Sequence, residues 1–126
     1  MVKVHHVTGY DHFLRFVKDI KNDNQVTNIL FSGSKLENGL SWCSDCVEAN
    51  PFIETALKKA PEDSHFIYVD VGDRSTWKNM NNPFRKNTDT HLSVIPTLIR
   101  WKQPQRLEGE QCTKRDLLEM FFSDEE

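Results

Sequence analysis

Alternating apolar and polar positions divide the first part of the chain into segments of strand and helix length. Valines punctuate a short extended start that ends at Gly9, and apolar residues then recur at helical spacing as far as Ile20. Residues 22–24, Asn-Asp-Asn, predict a turn, and the mostly apolar run 26–31 predicts a second strand near the centre of a sheet.

A long polar loop over residues 32–41 leads to a second helix that opens at Cys43. Pro51 lies inside this helix, where it removes a backbone donor, so we expect one kinked helix rather than two. Residues 66–71 are apolar at nearly every position, which predicts a strand covered on both faces. The positions predicted to form one apolar helix face are Ala49, Phe52, Ile53, Ala56, Leu57 and Ala60.

The last third of the chain predicts a hairpin and a final helix. Residues 74–87 lack clean periodicity and predict only a short helix near their beginning, while residues 97–101 and 106–108 predict an antiparallel strand pair. Thr113 and Asp116 form a capping-box signature before a strongly apolar helix, and the chain is expected to fray from residue 123. The element order predicts one α/β domain over residues 1–126, built on a mixed sheet.

Composition narrows the class of protein without identifying it. Eight Phe and three Trp among 126 residues provide large side chains for one core. The net charge of -3 is spread over mixed acidic and basic residues with no Lys/Arg block, so we expect no nucleic-acid partner. The chain has no run of eighteen apolar residues and no signal-peptide core, which predicts a cytoplasmic protein that does not bind membranes.

Two of the three cysteines, Cys43 and Cys46, lie only three positions apart, which indicates reactive or metal-ligating groups rather than a structural disulfide framework. The start of a helix favours negative charge on Cys43, and the spacing places Cys46 on the first turn, within reach of a mixed disulfide. The alternative is a zinc half-site completed by Cys112 or a histidine. The chain has no second Cys-x-x-Cys and no paired histidines at ligand spacing, so we expect no metal.

Several motifs resemble those of a known family. The segment 42–46, Trp-Cys-Ser-Asp-Cys, with Pro51 after it and Ile-Pro-Thr at 95–97, resembles the thioredoxin superfamily. The aspartate before the second cysteine is similar to one branch, the thioredoxin domain-containing protein 17 family. This resemblance implies a thioredoxin fold with a five-stranded mixed sheet flanked by about four helices. Further segments that carry it are Trp-Lys at 77–78, Asn-Asn at 81–82, Phe-Arg-Lys-Asn at 84–87 and residues 118–122.

The resemblance also implies an activity. Family members are expected to be cytosolic disulfide reductases without a bound cofactor, recharged by thioredoxin reductase and so indirectly by NADPH. The implied substrates are small disulfides such as cystine, selected protein disulfides, nitrosothiols and persulfides, and we expect a monomer. The competing hypothesis is a redox-switched adaptor of the same fold that binds signalling partners without turnover.

The family pattern assigns expected roles to the residues around the cysteine pair. Trp42 is expected to form an aromatic lid over the sulfur, and a cis Pro96 with the Ile95 backbone is expected to pair with an extended substrate. Many relatives have proline where Ser44 stands, so this loop lacks a fixed backbone angle and its reduction potential is expected to differ.

A buried carboxylate that general thioredoxins place before the motif is absent from residues 26–31, and Asp45 is the nearest replacement. Two interpretations of Asp45 remain open: a proton acceptor for Cys46, or a favourable charge in the first turn of a helix. Cys112 is interpreted as a packed structural thiol, and Trp77 and Phe84 as core residues. The surrounding polar residues form a weaker candidate for a specificity rim, namely Lys78, Asn81, Asn82 and Arg85.

Overall fold

Five strands form one mixed sheet in the order β1-β3-β2-β4-β5. The structure, a computed structural model, describes residues 2–20 and 25–123, so the turn predicted at 22–24 lies outside the described residues. Of the fraying expected over 123–126, residues 124–126 also lie outside them, whereas Ser123 is still part of the last helix. β1, β2 and β3 are parallel, whereas β4 is antiparallel to β2 and β5 to β4. The strands are β1 Lys3–Thr8, β2 Thr27–Ser32, β3 His65–Asp70, β4 Thr97–Arg100 and β5 Arg106–Glu108.

The helices cover both faces of this sheet, as the right-handed crossovers of parallel strands require. α2 continues through Pro51 as a single helix. The described helices are α1 Tyr10–Ile20, α2 Ser44–Leu57, α3 Arg74–Lys78, α4 Pro83–Lys86 and α5 Arg115–Ser123, with a 3₁₀ turn at Gly109–Thr113. None of the described helices has the length and apolar character needed to cross a bilayer.

The central strand β2 divides the core into two layers because its successive side chains point to opposite faces. Ile29 and Phe31 belong to the layer under α1, and Leu30 belongs to the layer under α2 and α5. Phe13 is fully buried in the first layer, where its ring contacts the rings of Phe31, Phe84 and Trp101. The predicted central position of β2 is therefore confirmed.

Some local predictions were wrong. Phe52 is 41% exposed rather than part of the core face, and Ala60 is buried but lies beyond the end of α2. Thr113 lies in the 3₁₀ turn, where its hydroxyl donates to the Glu110 carbonyl, so it does not cap the last helix. A capping box is instead formed by Glu108 and Gln111 at the start of that turn.

The region after β3 also differs from its prediction. The short helix expected there is α3, but the sequence pattern missed the four-residue helix α4. Asn82 caps the start of α4, because its side-chain oxygen accepts the Phe84 backbone N–H. Pro83 occupies the first helical position, where no backbone donor is needed. The buried positions of Trp77 and Phe84 confirm both as core residues.

A histidine on the outer strand β1 should make stability depend on pH. His5 Nε2 lies 3.0 Å from His65 Nδ1 across the β1–β3 pair. Burial, followed by the charge of His65, lowers the pKa of His5 below its usual 6.5. Between the folded and unfolded pKa values the unfolded chain binds more protons. The free energy of unfolding should therefore rise with pH in that window and fall as pH drops from about 6.5.

We expect His5→Asn to flatten this acidic loss of stability. Urea denaturation above and below pH 6.5 would measure the free energy of unfolding for the unaltered chain and the variant. His91→Asn is the matched control, because His91 is exposed and its positive φ of 45° is one that asparagine tolerates. If the free energy of unfolding changed with pH equally in the His5→Asn chain and the unaltered chain, His5 would not be the group responsible.

Candidate active site at the Cys43–Cys46 disulfide

Cys43 and Cys46 lie at the beginning of α2 and are joined by a disulfide. Cys43 has extended backbone angles and caps the helix, and its Sγ accepts the backbone N–H of Cys46 at 3.2 Å. Both residues are largely buried, at 7% and 5% exposure. A backbone N–H at the start of a helix favours negative charge on the atom that accepts it. The geometry therefore suits a thiolate at Cys43 when the pair is reduced.

The Ile95–Pro96 peptide bond is cis, which confirms the expectation from the family pattern. The Ile95 carbonyl oxygen lies 3.9 Å from Cys43 Sγ, so the loop before β4 faces the first cysteine. Both loop residues are buried. The structure thus brings together the two sequence segments that were expected to form the site, although they are about fifty residues apart.

Hydrogen bonds fix both the backbone and the indole of Trp42. Its backbone N–H donates to the Ser34 carbonyl at 3.1 Å, and its indole Nε1 donates to the Gly72 carbonyl at 2.9 Å. The half-buried ring packs against the core layer that contains Cys43 and Cys46. The indole is therefore fixed in place at the residue that directly precedes Cys43, and its role as a lid over the sulfur stays a prediction.

Two glycines make room for this arrangement. A Cβ on Gly33 would lie 2.7 Å from the indole atoms Cε2 and Nε1 of Trp42, so the ring sits directly against the backbone. Gly72 has a positive φ of 112°, which a residue with a side chain rarely adopts. Neither glycine was predicted to have a role, because the sequence does not show which ring or turn a loop glycine accommodates.

Ser44 and Asp45 occupy the first turn of α2 with exposed side chains. A carboxylate there complements the helix dipole. A cavity of about 710 Å³ lies beside Cys46, between α2, the end of β3 and the 32–41 loop. Asp70 and Tyr68 line this cavity and Asp45 does not. Burial, with the charge of Glu54, raises the pKa of Tyr68 above its usual value.

The loop before the motif is more ordered than its polar composition suggested. Ser32 belongs to β2, and Lys35 pairs with Ser41 in an antiparallel bridge. The Ser41 hydroxyl donates to the Gly33 carbonyl at 2.9 Å and accepts the Cys43 N–H at 3.0 Å. The loop therefore positions the backbone of the first cysteine directly.

Comparisons with known proteins agree with this geometry. Residues 6–124 match the model described as thioredoxin domain-containing protein 17-like, thioredoxin domain. The chain belongs to the thioredoxin domain-containing protein 17 family. It is 44% identical to thioredoxin domain-containing protein 17 of Danio rerio and 39% identical to that of Homo sapiens, each over 94% of both chains.

A more distant sequence match and a solved structure extend these comparisons. The thioredoxin-like protein Clot of Arabidopsis thaliana is 36% identical over 76% of this chain and 78% of its own. The crystal structure of thioredoxin O1 from Arabidopsis thaliana in its oxidized state superposes with a TM-score of 0.61 at 18% identity, covering 95% of this chain and 98% of that one. The predicted thioredoxin fold is confirmed.

Two residues of the candidate rim have structural roles in this family member. Asn82 is buried and joins α3 to α4, since its side-chain nitrogen donates to the Thr76 carbonyl. Arg85 stacks on the Trp77 ring at 3.8 Å and donates to the Trp77 carbonyl. Lys78 and Asn81 are exposed and remain candidates for contact with a substrate. Within the described residues, no three His, Cys, Asp or Glu side chains form a group that could hold a metal ion.

Cys112 is the one cysteine outside the disulfide, and it is fully buried. Its thiol donates to the Leu107 carbonyl at 3.6 Å and approaches the Pro96 carbonyl at 4.0 Å. Burial, with the charge of Glu108, raises the pKa of Cys112 to about 12. The interpretation of Cys112 as a packed structural thiol is therefore confirmed.

We expect alkylation to separate these thiols. In the reduced, folded protein at neutral pH, iodoacetamide should label Cys43 and leave Cys112 unmodified, because Cys112 is neither ionised nor accessible. Peptide mass spectrometry would measure the labelled fraction, and the urea-unfolded chain is the control in which Cys112 should react. Labelling of Cys112 as fast as Cys43 in the folded protein would contradict its burial.

Proposed function

We propose that this chain is a cytosolic thiol-disulfide oxidoreductase that reduces small disulfides such as cystine, together with selected protein disulfides, nitrosothiols or persulfides. Thioredoxin reductase recharges the dithiol, so NADPH supplies the electrons without binding to this chain. The single observation that carries the proposal is the placement of Cys43. Its sulfur receives the Cys46 amide at a helix start and lies 3.9 Å from the Ile95 carbonyl beside the cis proline.

The first half of the reaction uses Cys43. Its thiolate attacks one sulfur of the substrate, a new S–S bond forms, the substrate's own S–S bond breaks, and one substrate thiolate leaves with the electron pair. The helix-opening amide that Cys43 Sγ accepts favours the attacking thiolate. The Ile95 backbone, whose carbonyl lies 3.9 Å from this sulfur, and Trp42, the residue before Cys43, hold the substrate against it.

The second half uses Cys46. Its thiolate attacks Cys43 Sγ, the mixed disulfide breaks, and the second substrate thiolate leaves, so two electrons have passed to the substrate and the Cys43–Cys46 disulfide has formed. The two Cα atoms lie 5.2 Å apart in the disulfide, within the range usual for this bond. Cys46 must first lose its proton, to Asp45 or to solvent in the adjoining cavity.

An NADPH-consumption assay tests the proposal. The chain is mixed with thioredoxin reductase, NADPH and either cystine or insulin, and the loss of NADPH absorbance is followed. We expect turnover of cystine that depends on the chain and is absent without the reductase. A redox-switched adaptor would turn over neither substrate, and that result would overturn the proposed function.

A further inference from the structure

Asp70, at the end of β3, lies at the centre of a hydrogen-bond network that no sequence motif predicted. Its Oδ1 accepts the Ser34 hydroxyl at 2.6 Å and the Gly72 backbone N–H at 2.8 Å. The regular β2–β3 pairing ends at this residue, where Ser32 is opposite Asp70. Asp70 therefore continues the contact between these two chain segments by its side chain, beyond the last paired residues.

The two residues that Asp70 binds, Ser34 and Gly72, also bind Trp42 through their carbonyl groups. The Gly72 carbonyl accepts the Trp42 indole N–H at 2.9 Å and also the Ser34 N–H at 3.0 Å. The Ser34 carbonyl accepts the Trp42 backbone N–H at 3.1 Å. Two segments distant in sequence, residues 34–42 and 70–72, thus meet in one closed set of bonds that includes the Asp70 carboxylate.

Packing restricts the indole from another side. The ring lies against Gly33, where any Cβ would lie only 2.7 Å from the indole. Because Gly33 is bonded to Ser34, a small shift of Ser34 would also move Gly33 and with it the surface on which the ring lies. Displacement of Gly72 would move the acceptor of the indole N–H. The position of Trp42 therefore depends on two backbone segments that Asp70 holds together.

We propose that Asp70 is a positioning residue for Trp42, acting through Ser34 and Gly72 to hold the indole beside the Cys43–Cys46 disulfide. Asp70 touches neither the sulfurs nor a substrate in this role. The effect on substrate rests on the proposed function, in which Trp42 forms one wall of the substrate site, whereas the effect on the indole does not.

Hydrogen exchange of the Trp42 indole N–H, followed by NMR in the oxidised protein, tests the positioning directly. We expect Asp70→Ala and Ser34→Ala to accelerate this exchange about tenfold, the effect of losing one hydrogen bond of ordinary strength. Asp70→Asn and Ser34→Thr keep the acceptor and the donor, so both should stay close to the unaltered chain. Ser75→Ala is the matched control, because its hydroxyl donates to Asp73 at 3.2 Å and has no bond to Trp42.

The amide of Ile67, in the buried core of β3, provides the reference for overall stability. Positioning predicts that Asp70→Ala accelerates exchange at Trp42 and leaves the Ile67 amide unchanged. Equal acceleration at both sites would mean that Asp70 only stabilises the fold, and no acceleration at Trp42 would mean that it does not hold the ring. Either result overturns the proposal.

Kinetics separate this inference from the proposed function. With cystine as substrate, Asp70→Ala should raise KM several-fold with a smaller change in kcat, and Asp70→Asn should restore KM. An unchanged KM for Asp70→Ala would contradict the role in the substrate site. If the unaltered chain reduces neither cystine nor insulin while Asp70→Ala still accelerates exchange at Trp42 alone, the proposed function fails and the positioning role stands.

Discussion

Cys46→Ser is expected to accumulate covalent adducts on Cys43, whereas Cys43→Ser should show neither turnover nor adducts. Thiol exchange passes through a mixed disulfide whose release needs a second thiol. Without Cys46 the attack still proceeds and the product stays bound. Without Cys43 the sulfur that accepts the Cys46 backbone N–H is lost, and the two remaining thiols, Cys46 and Cys112, are 5% and 0% exposed. Turnover of cystine should fall to background in both variants.

Intact-mass spectrometry under non-reducing conditions measures the adduct, and peptide mapping locates it. The adduct should disappear on addition of dithiothreitol. Cys112→Ala is the matched control, because it removes a thiol that lies outside the disulfide and should change neither result. Turnover by Cys46→Ser at the unaltered rate would indicate a one-thiol mechanism, and turnover by Cys43→Ser would mean that the attacking thiol has been misassigned.

Phe13→Ala should lower the free energy of unfolding by about 3–5 kcal/mol. Phe13 is fully buried, and its ring centroid lies 5.6 Å from each of three aromatic rings, those of Phe31 in β2, Phe84 in α4 and Trp101 just after β4. Removal of the ring leaves a cavity where four segments meet, and a close-packed core refills it only in part. Urea denaturation at neutral pH would measure the difference.

Leu14→Ala is the control for this substitution, because Leu14 is the next residue of α1 and is 39% exposed. Both changes place alanine in the same helix, so the difference between them isolates the packing of Phe13 from helix propensity. Leu14→Ala should cost less than about 1 kcal/mol. Losses of equal size in the two variants would contradict the central position of Phe13.

The sequence predicted those elements whose apolar pattern matches their burial. β2 and β3 are apolar at consecutive positions because both of their faces are covered, and this pattern identified them as central strands. Phe52 misled the helix prediction because it lies roughly 60° around the helix from Ala49, at the flank of the buried face. The periodicity of apolar residues shows which side of a helix is buried but not how wide the buried face is.

Features that depend on contacts between distant segments could not be read from a local pattern. Asn82 and Pro83 carry a helix-start signal, yet no periodic run follows it, and the short helix α4 was missed. The cysteine pair and the cis proline were recognised from the motif. Asp70 was not, because its partners Ser34 and Gly72 belong to separate loops and only the folded sheet brings them to Trp42.

The two outer strands of the sheet bear on self-association. β1 forms one edge with Lys3, His5 and His6 along its length, and the other edge, β5, is only three residues long and carries an Arg106–Glu108 ion pair. Charged or polar side chains and a short edge oppose the addition of a further strand from another molecule. The fold therefore offers little template for fibril growth through its sheet edges.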